Sequence, residues 1–203
     1  MTVSALTASE IALNLPDLTR PLDFQQMFQR EAPVELEIGS GRGDFLISYA
    51  KLRRDVNLLG IERKLVIVRR AANKISRANI RNVRLVSGEV FYLLQHYFPP
   101  QSLHAIHCYF PDPWPKKRHA KRRLFQPGVL DVFARVLRPS ASVFVRTDVA
   151  SYFDVIRQLF REDSRYVPID PDPALLQCLT GFERRFIQIG KPIYRVSYRF
   201  VVS

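Results

Sequence analysis

Over residues 34–110 short apolar runs alternate with segments of helical period, and that alternation leaves the chain few folds to choose from. Strands are expected at 34–38, 57–61, 83–86 and 104–110, with helices at 43–52, 63–78 and 91–98 between them. Parallel strands need crossover connections, so the intervening helices must cover the faces of one sheet. A helix at about 127–137, a strand at 141–146 and a helix near 151–161 continue the series. The end departs from it. Residues 166–169 and the alternating Tyr194, Val196, Tyr198, Phe200 read as two strands with no full helix between them, a hairpin-like feature that implies an antiparallel strand at the sheet's end. The expected fold class is α/β, a doubly wound, Rossmann-like sheet, mostly parallel with an antiparallel C-terminal strand.

Residues 1–32 are weakly patterned and interrupted by Pro16 and Pro21, so they read as an N-terminal arm ending in a short helical piece near 24–30. Residues 33–203 then form a single domain, because 203 residues at 47% hydrophobic content suffice for one sizeable core. Charge narrows the partners. With 31 Lys and Arg against 19 Asp and Glu, a net charge of +12 favours a polyanion, leaving RNA, DNA or an anionic membrane surface. No apolar run reaches the roughly 20 residues that span a bilayer. The N-terminus also lacks the basic region and apolar block of a secretory signal, so a cytoplasmic location is expected. Cys108 and Cys178 are the only cysteines, which excludes a disulfide framework and a CxxC zinc site. His96, His104, His107 and His119 lack metal-motif spacing, and no metal is expected.

The first expected strand ends in Glu35-Leu36-Glu37-Ile38-Gly39-Ser40-Gly41-Arg42-Gly43-Asp44, a strand entering a glycine-rich turn and then a helix. Gly39, Gly41 and Gly43 permit a tight turn and close approach of a ligand to the main chain. Their spacing is GxGxG, whereas the dinucleotide fingerprint is GxGxxG. Glu37 separates the alternatives further. A carboxylate at the strand tip repels a pyrophosphate but attracts the ammonium of a methionine moiety. Glu62, ending the next strand, can accept hydrogen bonds from both hydroxyls of a ribose. Together these acids favour S-adenosylmethionine (AdoMet) over NAD, with the helix N-terminus after Gly43 as a seat for the methionine carboxylate.

The fourth strand runs into Tyr109-Phe110-Pro111-Asp112-Pro113-Trp114-Pro115, where three prolines in five residues forbid helix and central strand alike. Asp112 and Trp114 are therefore expected in a stiff turn at the sheet's carboxyl edge. Asp112 could accept hydrogen bonds from a guanine edge, and Trp114 could either stack on a base or pack in the core. Next come six fixed positive charges in eight residues, Lys116 to Arg123, which read as a phosphate clamp or as a solvated face. Eleven more basic residues lie from Lys51 to Arg84 against only Asp55 and Glu62, so positive charge extends beyond the clamp.

At these motifs the sequence resembles the bacterial tRNA (guanine-N7-)-methyltransferases. The resemblance is carried by Leu36 to Gly41, Gly60-Ile61-Glu62, Phe110 to Lys116, His119 to Arg123, Thr147-Asp148 before a helix with Tyr152, and Thr180-Gly181-Phe182-Glu183. It implies the class I AdoMet-dependent methyltransferase fold and methyl transfer to a guanine N7 in the tRNA variable loop. AdoMet would be held by Glu37, Gly39, Gly41, Gly43, Glu62, Glu89 and Asp112, with Asp112 the central active-site acid. Substrate contacts would come from Lys116, Arg118, His119, Lys121, Arg122, Arg123, Asp148, Thr180, Gly181, Phe182 and Glu183. The sequence departs from the pattern in three places. Ser87-Gly88-Glu89-Val90 stands where the family has an acid followed by alanine, Gly181 replaces a usual basic residue, and the link from Glu162 to Thr180 is short.

N7 of guanine carries a free lone pair, so no strong base is required and catalysis can rest on alignment and electrostatic support. Asp112 would grip the N1–H or N2 edge of the base as the purine becomes cationic. Glu183 and Asp148 could help orient it, or could instead pair with arginines, and Asp148 could cap the following helix. The rival from another class is a non-catalytic RNA-binding protein on the same fold. A monomer or weak homodimer without an obligate protein partner is the simplest assembly.

Overall fold

The computed structural model describes residues 6–13 and 20–202, and Pro16 lies outside them. The chain opens with α1 (Ala8–Ile11), β1 (Ala12–Leu13) and α2 (Phe24–Phe28). Strands β2 (Val34–Ile38), β3 (Asn57–Glu62), β4 (Val83–Ser87) and β5 (Leu103–Tyr109) are linked by α3 (Asp44–Leu52), α4 (Leu65–Arg77) and α5 (Val90–His96). A 3-10 segment, η1 (Lys117–Arg122), precedes α6 (Val129–Val136), β6 (Leu137–Thr147) and α7 (Ala150–Arg161). The chain ends with β7 (Tyr166–Pro168), α8 (Pro173–Leu176), α9 (Gly181–Gln188) and β8 (Tyr194–Phe200).

The strands form one sheet in the order β1-β4-β3-β2-β5-β6-β8-β7. β8 runs antiparallel to both β6 and β7, and the other pairs are parallel. The order reverses between β2 and β5, a switch point at which sheets of this kind take their ligands in the crevice outside the carboxyl ends of the strands. Glu37, Glu62 and the turn after Tyr109 all lie on that edge. One face packs α1, α3, α4 and α8 through Ile11, Phe45, Ile75 and Leu175. The other packs α2, α5, α6 and α7 through Phe28, Leu94, Phe133 and Phe160. Each such side chain, fully buried, contributes about 1.5–3 kcal/mol, which ties the helices to the sheet and fixes the edge between them.

Three expectations need correction. Helices α8 and α9 lie between the terminal strands, although β7 and β8 are still paired neighbours. The signal was short and inverted: α9 spans only eight residues, its apolar Phe182 and Ile187 are exposed, and its only buried residue is the charged Glu183. β6 also begins at Leu137, directly after α6, with its exposed start Arg138 to Ser140 looping out where the register with β5 shifts between Leu103 and Ala105. Part of the segment read as an arm joins the sheet, since Ala12 and Leu13 pair with Leu85 and Val86. Among the described residues no helix is long and apolar enough to cross a membrane.

Candidate active site

Strand alternation in β2 puts Glu35 and Glu37 on one face of the sheet, and both are buried. Their surroundings differ. Glu35 accepts a hydrogen bond within a buried pair from His107, at 2.9 Å, and His107 contacts the Tyr109 hydroxyl at 2.8 Å. Burial opposes ionisation of Glu35, but the bonds and charge from His107 outweigh it and hold the carboxyl below its usual range. Glu37 is 3% exposed and its Oε2 has no hydrogen-bond partner. Burial pushes its carboxyl well up, only partly offset by Arg146 and reinforced by the nearby acids Asp44 and Glu62. A second buried orphan, the Ser40 hydroxyl, sits two residues past the strand.

Gly39, Gly41 and Gly43 all have positive φ, +75°, +50° and +71°, which explains three glycines in five residues. Gly39 and Ser40 donate their N–H groups to Ile61 O at 2.8 and 3.0 Å, clamping the loop onto the tip of β3. A Cβ built on Gly39 meets nothing within 4 Å, so its outer side is open. Glu62 is half-buried, and its Oε1 accepts from Lys64 N at 3.0 Å. Asp44, in the first turn of α3, is bridged by Lys74 at 2.5 Å and Arg184 at 2.7 Å, which offsets the charge it would otherwise turn toward an anion at that helix end. The orphaned Glu37 oxygen, the orphaned Ser40 hydroxyl and the open side of Gly39 fit a ligand that brings a cationic group to β2 and lies along the loop.

The Pro-Asp-Pro-Trp turn follows the neighbouring strand β5. It starts and ends on left-handed residues, Phe110 at φ +53° and Trp114 at φ +39°, conformations that cost a bulky side chain about 1–3 kcal/mol each. The strain is held by hydrogen bonds. Phe110 N–H donates to Arg146 O at 2.7 Å, and Arg123 donates to Pro113 O at 2.7 Å and Trp114 O at 3.1 Å. Arg123 also lies over the Tyr152 ring, so this member of the basic run braces the turn. Arg122 stacks over Trp114 and His119 meets the indole edge-on, which leaves the half-buried Trp114 flanked by cationic and aromatic groups. Asp112, Lys116, Arg118 and Lys121 are exposed, and among the described residues none of their side chains has a partner.

The remaining expected site residues divide sharply. Thr180 caps α9 by accepting from Glu183 N at 3.0 Å, and Phe182, 61% exposed, lies with Phe186 beside Phe110 at the start of the turn. Glu183 is fully buried, with its two oxygens on Arg146 at 2.6 Å and Arg195 at 2.8 Å. Asp148 does not cap α7, whose N-cap is Val149, and pairs with Lys191. Glu89 caps α5, its two oxygens taking the N–H groups of Phe91 and Tyr92. Gly181 abuts Asp44, where a Cβ would come within 3.0 Å of Oδ2.

Arg146 escaped the sequence reading. It is 3% exposed, stacks on Tyr109, and donates to Leu175 O, Cys178 O and Glu183, so it docks α8 and α9 onto the sheet. A charge inside the otherwise apolar run Val143-Phe144-Val145-Arg146 was the available signal. Among the described residues no group of three or more His, Cys, Asp or Glu could hold a metal ion.

A family model described as "Putative methyltransferase" matches residues 31–196. The tRNA (guanine-N(7)-)-methyltransferase of Mycobacterium tuberculosis is 39% identical over 188 residues, covering 88% of this chain and 71% of that protein. The Mycobacterium avium protein of the same name is 39% identical over 159 residues, and the match covers 76% of this chain but only 60% of that protein. Among solved structures, 16S rRNA methyltransferase KamB superposes with a TM-score of 0.61 at 15% identity, covering 88% of this chain and 93% of that one. A 16S rRNA (adenine(1408)-N(1))-methyltransferase variant from Catenulisporales acidiphilia, solved with cosubstrate SAM, gives 0.57 at 14% identity and covers 89% and 92%. At those identities the two structures speak to the fold.

Proposed function

The chain belongs to the tRNA (guanine-N(7)-)-methyltransferase family, and from that premise we propose that it transfers the methyl group of AdoMet to N7 of a guanine in the tRNA variable loop. The observation that carries the reading is the buried Glu37 carboxyl, its Oε2 without a partner, beside a glycine loop with an open side. Such a group is costly unless a cation completes it, and the ammonium of a methionine moiety is that cation. AdoMet, when bound, supplies an electrophilic methyl group carried on a sulfonium.

The residues of this chain do the rest. Glu37 holds the ammonium, the backbone of Gly39 to Gly43 runs beside the methionine portion, and the free oxygen of Glu62 accepts from the ribose. Glu89 takes no direct part in this scheme, because its carboxylate is engaged by α5. Across the crevice, Asp112 accepts hydrogen bonds from the guanine's N1–H and amino group, which aims N7 toward the donor. Its negative charge also favours the purine as that ring turns cationic, and no proton need be removed at N7. Lys116, Arg118, Lys121 and Arg122 face solvent beside the turn and engage phosphates, while Arg123 holds the turn in shape.

The protein acts in the cytoplasm as a single chain or weak homodimer on tRNA. Incubating it with methyl-labelled AdoMet and an unmodified tRNA transcript, followed by nucleoside digestion, should yield labelled N7-methylguanosine. Label appearing in another nucleoside, or in none, would refute the assignment.

A further inference from the structure

Helix α4 carries more positive charge than its own stability calls for: Lys74 and Arg77 suit its C-terminal turn, but the rest do not. Between Glu62 and Glu89 the chain has eight Arg or Lys and no acid. Lys64 is the N-cap, without a side-chain cap bond, and the first turn holds no acidic residue, so the positive end of the helix dipole meets positive side chains. Further along, Arg70, Lys74 and Arg77 succeed one another at spacings of four and three, where like charges repel. Some of these cations are accounted for: Lys74 bridges Asp44, and Arg84 is buried on the carbonyls of Met27, Arg81 and Val83. Arg63, Arg69, Arg70 and Arg77 are exposed, and among the described residues their side chains have no partner.

Their placement is directional. Val68, Ala71, Ala72 and Ile75 form the buried face of α4. At 100° per residue, Arg70 and Arg77 project from the opposite side, seven residues or roughly 10 Å apart, and Arg69 flanks them. The helix begins three residues after Glu62 at the carboxyl edge and runs back down the face of the sheet for about 20 Å. In the sheet order, β2 with Glu37 lies between β3, which feeds α4, and β5, which feeds the turn and η1. Two cationic surfaces thus flank the candidate active site.

We propose that the outer face of α4 is a second RNA-binding surface, which grips the phosphate backbone of the substrate some distance from the methylated base. The inference rests on the tRNA reading and extends it: η1 positions the nucleotides near the reacting guanine, and α4 holds another part of the same molecule. The phosphate backbone fits better than an anionic membrane, because the apolar residues a bilayer would need are confined to Leu65 and Val66 at one end of the ridge.

The test is the double variant Arg70→Glu/Arg77→Glu, compared with wild type on full-length tRNA and on a short stem-loop containing the target guanine. On full-length tRNA, KM should rise about tenfold or more, and the salt dependence of binding should lose roughly 1.5–2 units of slope. Turnover at saturation, AdoMet affinity and KM on the stem-loop should stay unchanged. The melting temperature should stay close to that of wild type, because the carboxylate introduced by Arg70→Glu would face Lys74 at the favourable spacing and offset the loss of the Arg77 cation from the helix C-terminus. Misfolding, which would also lower turnover and activity on the stem-loop, cannot mimic the result. Unchanged KM and slope on full-length tRNA would overturn the proposal, as would a loss confined to anionic phosphatidylserine vesicles. Wild-type protein that bound tRNA with the expected slope but formed no N7-methylguanosine would refute the catalytic reading while leaving the surface intact.

Discussion

The two sides of the crevice are built by opposite means. On the proposed donor side, Glu37, the glycine loop and Glu62 come from two adjacent strands, and the loop is clamped by its own backbone N–H groups on Ile61. The proposed acceptor side is an exposed turn after β5, held in a strained shape by Arg123 from ten residues on and by the Arg146 carbonyl of the next strand. One side is rigid through local backbone geometry and the other through remote arginines. The donor side should therefore fail by losing a ligand contact, and the acceptor side by losing its shape.

The largest separation is expected at Glu37. Glu37→Gln should weaken AdoMet binding by at least about 100-fold in calorimetry, since it removes one partner of a buried ion pair. The unliganded protein should meanwhile melt higher at pH 7–8, because a neutral amide avoids the desolvation that raises this carboxyl. The sign follows from proton linkage. A raised carboxyl pKa means that the folded state binds the proton more tightly than the unfolded chain, so Glu37's contribution to stability falls as pH rises from about 4.5 toward the raised value. Over the same window AdoMet, which needs the carboxylate ionised, should bind more tightly as pH rises and should release a proton on binding. A variant that lost AdoMet without gaining thermal stability would mean that Glu37 is satisfied in the free protein.

Asp112 is the counterpart across the crevice. Asp112→Ala should lower kcat/KM on tRNA about 100- to 1,000-fold, the range for removing one pre-placed electrostatic group. AdoMet affinity should remain within about twofold if Asp112 serves the guanine alone, whereas the AdoMet contact that the resemblance also implies for it would show as a larger loss. A large loss of AdoMet affinity would merge the two sides into one unit.

Arg122 and Arg123 sharpen the comparison, because they are adjacent and chemically identical. Arg123→Ala removes both bonds to the turn carbonyls and should reduce kcat on tRNA about tenfold or more, with the salt slope nearly unchanged. Arg122→Ala should leave kcat near wild type and reduce the salt slope by about 0.7–0.9, the signature of one lost phosphate contact. Equal slopes for the two variants would return Arg123 to the clamp.

The same pair shows where sequence reading stops. Local pattern gave the strands β2 to β5, the glycine turn and the acids at the strand tips, because period, φ demands and strand-end position are properties of neighbouring residues. It could not divide a run of cations into a brace and a clamp, since that depends on which carbonyls the fold brings near. Glu183 and Arg146 are the clearest case. Each looks like a candidate ligand or a misplaced charge alone, and only the assembled sheet makes them a buried pair that docks α9. β1 was hidden for a related reason: two residues are too few to display a period, and their pairing with β4 is entirely tertiary.

Gly181 is where the two sides touch, and it should give the smallest effect. It stands at the start of α9 against Asp44, the first residue of α3 directly after the glycine loop. Gly181→Ala adds a Cβ at 3.0 Å from Asp44 Oδ2, a contact that must open by a few tenths of an ångström. Asp44 is anchored by Lys74 and Arg184, so it resists the shift, while the alanine gains helix propensity of up to about 1 kcal/mol over glycine. These terms nearly cancel, and stability should change by less than about 0.5 kcal/mol, or roughly 1–2 °C in melting temperature. AdoMet affinity should move less than about threefold, since Glu37 and the Gly39 side of the loop lie beyond the disturbed carboxylate. A tenfold change instead would mean that α9 pushes on the donor loop through Asp44, and that the two sides of the crevice work as one mechanical unit.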